Sequence, residues 1–204
     1  PLVAVRSSAT SEDADKTSVA GQFTTFLNIS DAEELIEMVK ECWASLFNPR
    51  VLMYQDAHEI SPLGTEMAVV VQKMIDSNKS GVCFSQTPVG DKSEVLIEGA
   101  FGLGEAVVSG SITPDEYRVG RENREITKIK VNKQSLYHTK ENNETVEKEL
   151  TEEKQEQQVL GEREILEIAD LALRIEDHYG KPQDIEWCYS EGGLYLLQSR
   201  PITA

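Results

Sequence analysis

The segment QDIEWCYSEGGLYLLQSR, residues 183–200, carries the clearest signal of the fold. Two β-rich halves flank the triplet EGG at 191–193, which is typical of an antiparallel hairpin with a short glycine turn. A three-residue turn over 191–193 would place Glu186 opposite Gln198. The segment therefore predicts a two-stranded antiparallel ladder with polar side chains in register.

The same pairing places Asp184 opposite Arg200, so one face of the hairpin carries carboxylates, an amide and a guanidinium. Magnesium prefers oxygen ligands, and Glu186 with the amide oxygen of Gln198 would supply two, while phosphates and water complete the shell. The guanidinium of Arg200 is a planar fork that suits phosphate oxygens. Surface salt bridges on an exposed strand are the alternative interpretation of these charges.

Apolar residues on both faces of the hairpin help to decide between a ligand site and surface salt bridges. They are Cys188, Leu194 and Leu196 on the polar face, and Ile185, Trp187, Tyr195 and Leu197 on the opposite face. We therefore expect both faces to be partly buried, and a buried charged cluster requires a ligand or a partner.

A second polar segment follows the first predicted strand, residues 2–6. Arg6 stands at the end of this strand, and the hydroxyls of Ser7, Ser8 and Thr10 with loop N–H groups would form an anion-binding cradle. A plain serine-rich turn is the alternative. Gly21 and Thr25 in the glycine loop VAGQFTTF would place backbone N–H groups against phosphates in the same way, although the loop lacks the GxxxxGK[ST] pattern of a P-loop.

Helical spacing of apolar residues predicts a helix over residues 31–47, with a capping box formed by Ser30 and Glu33. Asn48-Pro49 is expected to end this helix, and a short second helix is predicted over residues 51–59.

A third helix is predicted over residues 162–179, ending at Gly180. The acidic stretch from residue 141 up to this helix is predicted to be a solvated loop.

The strand predictions set the fold class. MAVVV at 67–71 is predicted to be a central strand buried on both faces, and GVCFS and EVLIEGAFG are two further strands. EYRV, EITKIKVN and SLYHT are typical of a solvent-facing antiparallel sheet. We therefore predict an α+β fold with mixed, largely antiparallel sheets and flanking helices, in one domain over residues 1–204.

The glycine segment EGAFGLGEAVVSG predicts tight turns around a short helix, but the GxGxxG spacing of a dinucleotide fingerprint is absent. Glu98, Glu105 and Asp115 near this segment are predicted to be surface carboxylates. The three histidines, His58, His138 and His178, stand in no recognisable nucleophile context, so the sequence offers no evident general base. Phosphoryl transfer tolerates that lack, because positioning and charge neutralisation do most of the work.

Composition narrows the classes of partner. A net charge of −16 over 204 residues argues against binding nucleic acid or an anionic membrane surface. No apolar run predicts a membrane span, and the three cysteines suit buried, reduced thiols in a cytoplasmic protein. The chain begins with Pro1, and we expect it to be part of a longer polypeptide.

Five collinear segments, VAVRSSATSED, SVAGQFTTFLNI, CWASLF, EGAFGLGEAVVSG and KPQDIEWC with LYLLQSRPIT, closely resemble the ATP-grasp domain of the phosphoenolpyruvate synthase and pyruvate phosphate dikinase family. Rifampin phosphotransferase shares this domain. The resemblance spans essentially the whole chain. It implies an ATP-grasp fold, incomplete at the N-terminal side, and an ATP site between two lobes.

The resemblance also implies roles for individual residues. Glu186 and Gln198 would bind Mg2+, Arg6 and Arg200 would bind phosphates, and Thr25 would lie in the phosphate-covering loop. For the adenine, the resemblance implies contacts from Gln72 and from the backbone of Lys73, Met74 and Ile75.

The partners implied by the resemblance lie on the same full-length chain. They are a phosphocarrier histidine domain, which receives the β-phosphate of ATP, and a substrate domain. Two family features are missing from this sequence: the ATP-contacting lysine of the N-terminal lobe and the phosphocarrier histidine. We therefore expect the chain alone to bind ATP weakly and not to complete catalysis.

Three functions remain open at this point. The first is the ATP-binding domain of a phosphoenolpyruvate synthase, and the second is that of an antibiotic kinase similar to rifampin phosphotransferase. The third is a non-catalytic interaction module that retains the fold.

Overall fold

The computed structural model describes residues 1–9, 24–57 and 66–202, and for the short strands at 13–14 and 17–18 it describes the backbone alone. Thr10, Gly21 and His58 lie outside the described residues, as do the last two residues of the predicted 51–59 helix.

The chain divides into two compact units. The first consists of Pro1–Met74 with Glu141–Thr145, and the second of Ile75–Lys140 with Val146–Ile202. Helices and antiparallel sheets occur together, so the predicted α+β class is confirmed. In the described part of the chain, no helix has both the length and the apolar character needed to cross a membrane.

Five α-helices and thirteen strands are found in the described residues. The helices are α1 (Ala32–Ala44), α2 (Pro49–Ala57), α3 (Glu105–Val108), α4 (Glu152–Gln155) and α5 (Glu162–Tyr179), with a 3-10 turn at Ser45–Phe47. The strands are β1 (Val3–Ala9), β2 (Asp13–Ala14), β3 (Thr17–Ser18), β4 (Thr25–Ile29), β5 (Met67–Lys73), β6 (Lys79–Phe84), β7 (Glu94–Phe101), β8 (Asp115–Gly120), β9 (Ile126–Lys130), β10 (Leu136–Glu141), β11 (Glu144–Glu149), β12 (Gln183–Ser190) and β13 (Gly193–Pro201).

The first unit is built on a three-stranded antiparallel sheet in the order β4-β1-β5. Helix α1 packs on one face of this sheet, and the core between them centres on Val5, Ile29 and Cys42. These side chains are buried because strand alternation and helical periodicity direct the apolar residues of both elements to the same layer.

The predicted helix over 31–47 is confirmed in position, and its cap is corrected by one residue. Asp31, not Ser30, is the N-cap, and its Oδ1 accepts the N–H groups of Glu33 and Glu34 at 2.9 Å each. Pro49 is the first residue of α2, where its missing N–H costs no hydrogen bond.

Two predictions about strands of the first unit are wrong. β5 is not a buried central strand, because β1 is its only sheet neighbour among the described strands, and Val70 and Val71 are 46% and 48% exposed. β1 continues to Ala9, so Arg6 lies in mid-strand. Ser7 and Ser8 pair with β5 instead of forming a loop cradle.

The second unit is built on a six-stranded antiparallel sheet in the order β13-β12-β6-β7-β8-β9. Helix α5, found over the predicted range and ended by Gly180 at φ 69°, packs on one face. The apolar core of the unit comes from both elements and includes Ile97, Tyr117, Ile165, Ile168, Ile185 and Trp187.

A hairpin of β10 and β11 occupies part of the predicted acidic loop, so that prediction is wrong. Asn142 and Asn143 connect the two strands at φ 50° and 66°, the backbone region that a two-residue hairpin turn requires. Asparagine tolerates positive φ, and this turn signal outweighs the low apolar content of the strands.

The C-terminal hairpin has the predicted cross-strand pairs but a different turn. Ser190 pairs with Gly193, so the turn has two residues, and an extra residue, Leu197, forms a bulge between the Trp187–Leu196 and Glu186–Gln198 pairs. The shorter turn and the bulge offset each other, which keeps Glu186 opposite Gln198.

On the turn side of the bulge, the predicted faces of β13 are reversed. Leu194 packs on the core, and Tyr195 pairs with Cys188. The predicted polar-face positions of Leu194 and Leu196 are therefore wrong.

Candidate functional site

One face of the three-stranded sheet carries three predicted site residues of the first unit. Arg6 pairs with Thr25 of β4 on one side and with Val70 of β5 on the other, and Gln72 pairs with Ala4. Paired residues of an antiparallel ladder point to the same side, so all of these side chains lie opposite α1. We call this surface, defined by Arg6, Thr25, Val70 and Gln72, the Arg6 face.

The predicted adenine-contacting backbone follows Gln72 directly. Lys73 pairs with Val3 and ends β5. The N–H of Met74 donates to the carbonyl of Leu2 at 3.0 Å, so this N–H is already used in extending the sheet. Ile75 is the first residue of the second unit.

One face of the six-stranded sheet carries the predicted site residues of the second unit. Glu186 pairs with Gln198 on β13 and with Val82 on β6, and Val82 pairs in turn with Glu98 on β7. These side chains lie opposite α5, because the alternating residues Ile185 and Trp187 fill the core. We call this surface, defined by Glu186, Gln198, Asp184, Arg200 and Glu98, the Glu186 face.

Two nitrogens of the Arg200 guanidinium contact one carboxylate oxygen of Asp184. Its Nε donates to Asp184 Oδ2 at 2.8 Å, and its Nη2 lies 2.7 Å from the same oxygen. The Asp184 side chain is 12% exposed and that of Arg200 is 31% exposed. This pairing holds the guanidinium on the face that also carries Glu186 and Gln198.

Glu98 on this face was predicted only as a surface carboxylate. Burial raises the pKa of the Glu98 carboxyl, and the nearby carboxylates Glu116 and Asp184 raise it further. Glu116, by contrast, accepts from Lys128 and Arg118, and these hydrogen bonds lower its pKa. Strand alternation in EVLIEG is the sequence signal that could have placed Glu98 on the polar face.

The remaining candidate groups are not among the residues that define the two faces. His138 lies between two carboxylates, with Nδ1 3.9 Å from Glu105 and Nε2 3.8 Å from Glu147. Cys42, Cys83 and Cys188 are buried and unoxidised, and burial raises the pKa of the Cys188 thiol to about 11. The described residues contain no group of three or more His, Cys, Asp or Glu side chains that could hold a metal ion.

Asp115 is the clearest error among the predicted surface carboxylates, because its side chain is completely buried. It accepts hydrogen bonds from Tyr117 Oη at 2.8 Å and from the N–H groups of Val159 and Asn132 at 2.9 and 3.0 Å. These donors compensate the cost of burial, so Asp115 is structural.

Comparison with known protein families identifies the chain as a nucleotide-binding domain. The model that matches, over residues 1–204, is that of the pyruvate phosphate dikinase AMP/ATP-binding domain, and the chain belongs to this family.

Curated relatives extend well beyond the matched region. A probable phosphoenolpyruvate synthase of Methanothermobacter thermautotrophicus is 46% identical over 98% of this chain and 29% of the relative. Its counterpart in Archaeoglobus fulgidus is 47% identical over 98% of this chain and 27% of the relative. A rifampicin phosphotransferase of a Streptomyces species is 41% identical over 98% of this chain and 23% of the relative. The chain therefore spans less than a third of each of these relatives.

Proposed function

We propose that this chain is the ATP-binding domain of a phosphoenolpyruvate synthase (pyruvate, water dikinase). In this proposal it binds Mg-ATP for phosphoryl transfer to a histidine on another domain of the full-length chain. The observation that carries the proposal is the pairing of Glu186 with Gln198, beside an Arg200 that Asp184 holds in place. The fold is proposed to be an ATP-grasp domain over residues 1–204.

Magnesium is assigned to Glu186 and Gln198, whose carboxylate and amide oxygens are the donor types that this ion prefers. The two residues are direct cross-strand partners, so both side chains leave the same face at neighbouring positions. Two protein ligands suit magnesium, which usually keeps waters and takes phosphate oxygens for the rest of its shell. When bound, the ion neutralises part of the phosphate charge.

The phosphate and base contacts are assigned within each unit separately. In the second unit, Arg200 of the Glu186 face is assigned to phosphate oxygens. In the first unit, Arg6 and Thr25 of the Arg6 face are assigned to phosphate oxygens. The amide of Gln72, with the backbone of Lys73, Met74 and Ile75, contacts the adenine. The cross-strand register that puts Arg6, Thr25 and Gln72 on one side of a sheet supports this assignment.

The phosphate acceptor separates the leading proposal from its alternative, an antibiotic kinase similar to rifampicin phosphotransferase. Identities of 46% and 47% to probable phosphoenolpyruvate synthases, against 41% to the antibiotic enzyme, favour pyruvate as the acceptor. Incubation of the full-length protein with ATP and either pyruvate or rifampicin tests this choice. Phosphoenolpyruvate, AMP and orthophosphate are the expected products, and phosphorylated rifampicin would contradict the expectation.

ATP binding itself is tested by calorimetric titration of the full-length protein and its Arg6→Ala and Gln72→Ala variants. We expect each change to weaken ATP binding by about tenfold or more, since each removes hydrogen bonds to the ligand. Arg174→Ala, at an exposed position of α5, is the control and should bind as the wild type does. A non-catalytic module would bind ATP equally, or not at all, in all four proteins.

A further inference from the structure

We propose that Val70 is a further nucleotide-contacting residue, and that its side chain packs against the base and ribose of the bound nucleotide. The inference rests on the proposed function, because it concerns the ligand that the Arg6 face is proposed to bind. It adds an apolar contact to a set of otherwise polar residues.

The register of the sheet places Val70 between the residues assigned to phosphate and those assigned to the base. Arg6 stands between Thr25 and Val70 in one row across the three strands, and Gln72 lies two residues beyond Val70 on β5. Thr25 and Gln72 are thus offset by two strand spacings across the sheet and by one two-residue step along the strand, which gives a diagonal of about 12 Å. A nucleotide with its phosphates at Thr25 and Arg6 and its base at Gln72 therefore passes between Val70 and Ala4, which pairs with Gln72 on the same face. Of these two residues Ala4 is 5% exposed and Val70 is 46% exposed, so Val70 is the one available to the ligand.

The exposure of Val70 supports a contact with an apolar ligand surface. Val70 is a β-branched side chain that is 46% exposed, and its exposed neighbours on this face, Ser8 and Ala68, are small. A branched aliphatic side chain gains from covering the flat face of a heteroaromatic ring, whereas it offers nothing to a phosphate group. The ligand part that Val70 recognises is therefore the nucleoside.

The next residue along β5 provides a matched control. Val71 has the same side chain and is 48% exposed, but it pairs with Val5 and therefore points to the α1 side of the sheet. Val70→Ala and Val71→Ala remove the same atoms from adjacent positions on opposite faces. Only the first change is expected to alter nucleotide binding.

The experiment measures the Kd of ATP and of inorganic tripolyphosphate for the full-length wild type and for the two alanine variants. Val70→Ala should raise the Kd of ATP about three- to tenfold, since it removes two methyl groups that are partly covered by the nucleoside. It should leave the Kd of tripolyphosphate unchanged. Val70→Ile, which keeps the branched surface, should bind ATP as the wild type does, and Val71→Ala should do the same.

Equal Kd values of ATP for Val70→Ala and Val71→Ala would overturn the inference, provided that Arg6→Ala and Gln72→Ala weaken binding. A loss of tripolyphosphate affinity in Val70→Ala equal to its loss of ATP affinity would also overturn it, because the effect would not depend on the nucleoside. If Arg6→Ala and Gln72→Ala bind ATP as the wild type does, the proposed function fails together with the inference. Matching thermal unfolding midpoints of the two valine variants ensure that the comparison concerns binding.

Discussion

At the scale of single residues, the interior of the second unit holds a buried carboxylate, Asp115, which accepts hydrogen bonds from several donors. Asp115 accepts from the Tyr117 hydroxyl and from two backbone N–H groups, and Gln134 Nε2 lies 3.3 Å from its Oδ1. Tyr117 in turn accepts from the N–H of Leu160 at 3.0 Å. This network ties β8 to the segment that leads into α5.

Asp115→Asn should lower the free energy of unfolding by about 2–4 kcal/mol, because an amide NH2 would face donors that need an acceptor. Urea denaturation followed by tryptophan fluorescence measures the change. Asp170→Asn removes the same charge from an exposed site on α5, and its effect should stay within about 0.5 kcal/mol. Equal stability of the two variants would contradict the structural role of Asp115.

Glu176 is a second carboxylate held by several donors. Its two oxygens lie 2.7 and 2.9 Å from the Arg121 guanidinium, and Ser85 Oγ donates to one of them at 2.5 Å. The hydrogen bonds from Arg121, followed by that from Ser85, hold the pKa of the Glu176 carboxyl below its ordinary value of 4.5. A lowered folded-state pKa adds stability above the unfolded-state pKa, and this stability is lost as the pH falls through the lowered value.

Glu176→Gln should therefore cost about 1–3 kcal/mol at neutral pH, and the difference from the wild type should shrink as the pH falls below about 4.5. Asp177→Asn, at the exposed neighbouring position, is the matched control. Unfolding free energies at pH 7 and in acid provide the comparison. A deficit in Glu176→Gln that is as large in acid as at pH 7 would show that the ion pair is not its cause.

At the scale of elements, the six-stranded sheet accommodates the indole of Trp187 because Gly81 and Gly99 have no side chains in the space that it fills. A Cβ at Gly81 would collide with the carbonyl oxygen of Glu98 and lie 2.8 Å from Cζ2 of Trp187, and a Cβ at Gly99 would lie 3.4 Å from the same ring. Trp187 has no exposed surface. The pairing of β6 with β7 is therefore possible only with glycine at position 81.

Gly81→Ala should destabilise the protein by more than about 3 kcal/mol or prevent folding, because the clash involves backbone atoms. Gly104→Ala is the control, since its nearest contacts, with Ser80, would be at an ordinary 3.6 Å. Soluble yield and circular dichroism of the two variants test this expectation. A folded Gly81→Ala protein of wild-type stability would contradict the described packing.

Some elements could be predicted from the sequence and others could not, for physical reasons. The predicted bounds of the amphipathic helix α5 match those observed, because its apolar periodicity defines its extent and the C-terminal glycine marks its end. The exposure of β5 could not be predicted, because an apolar run does not specify whether a strand has one sheet neighbour or two. The bulge at Leu197 could not be foreseen, because the glycines at 192 and 193 permit turns of two or three residues.

At the scale of the whole molecule, each of the two units has an α-helix on one sheet face and polar side chains on the other. The predicted site residues Glu186, Gln198 and Arg200 share the polar face of the second unit because strand alternation is readable in DIEW and in QSR. Their roles toward ATP came from resemblance, since alternation alone does not identify a ligand. With a net charge of −16, the chain repels a polyphosphate, and a bound cation would reduce that repulsion.

The most direct test of the proposed function is the effect of Mg2+ on ATP affinity in the full-length wild type, Glu186→Gln and Glu191→Gln. Glu191 lies in the exposed turn of the same hairpin, so its variant controls for the loss of one negative charge. We predict that Mg2+ tightens ATP binding in the wild type and in Glu191→Gln, and that Glu186→Gln loses most of this gain. An equal gain from Mg2+ in all three proteins would contradict the assignment of the metal to the Glu186 face.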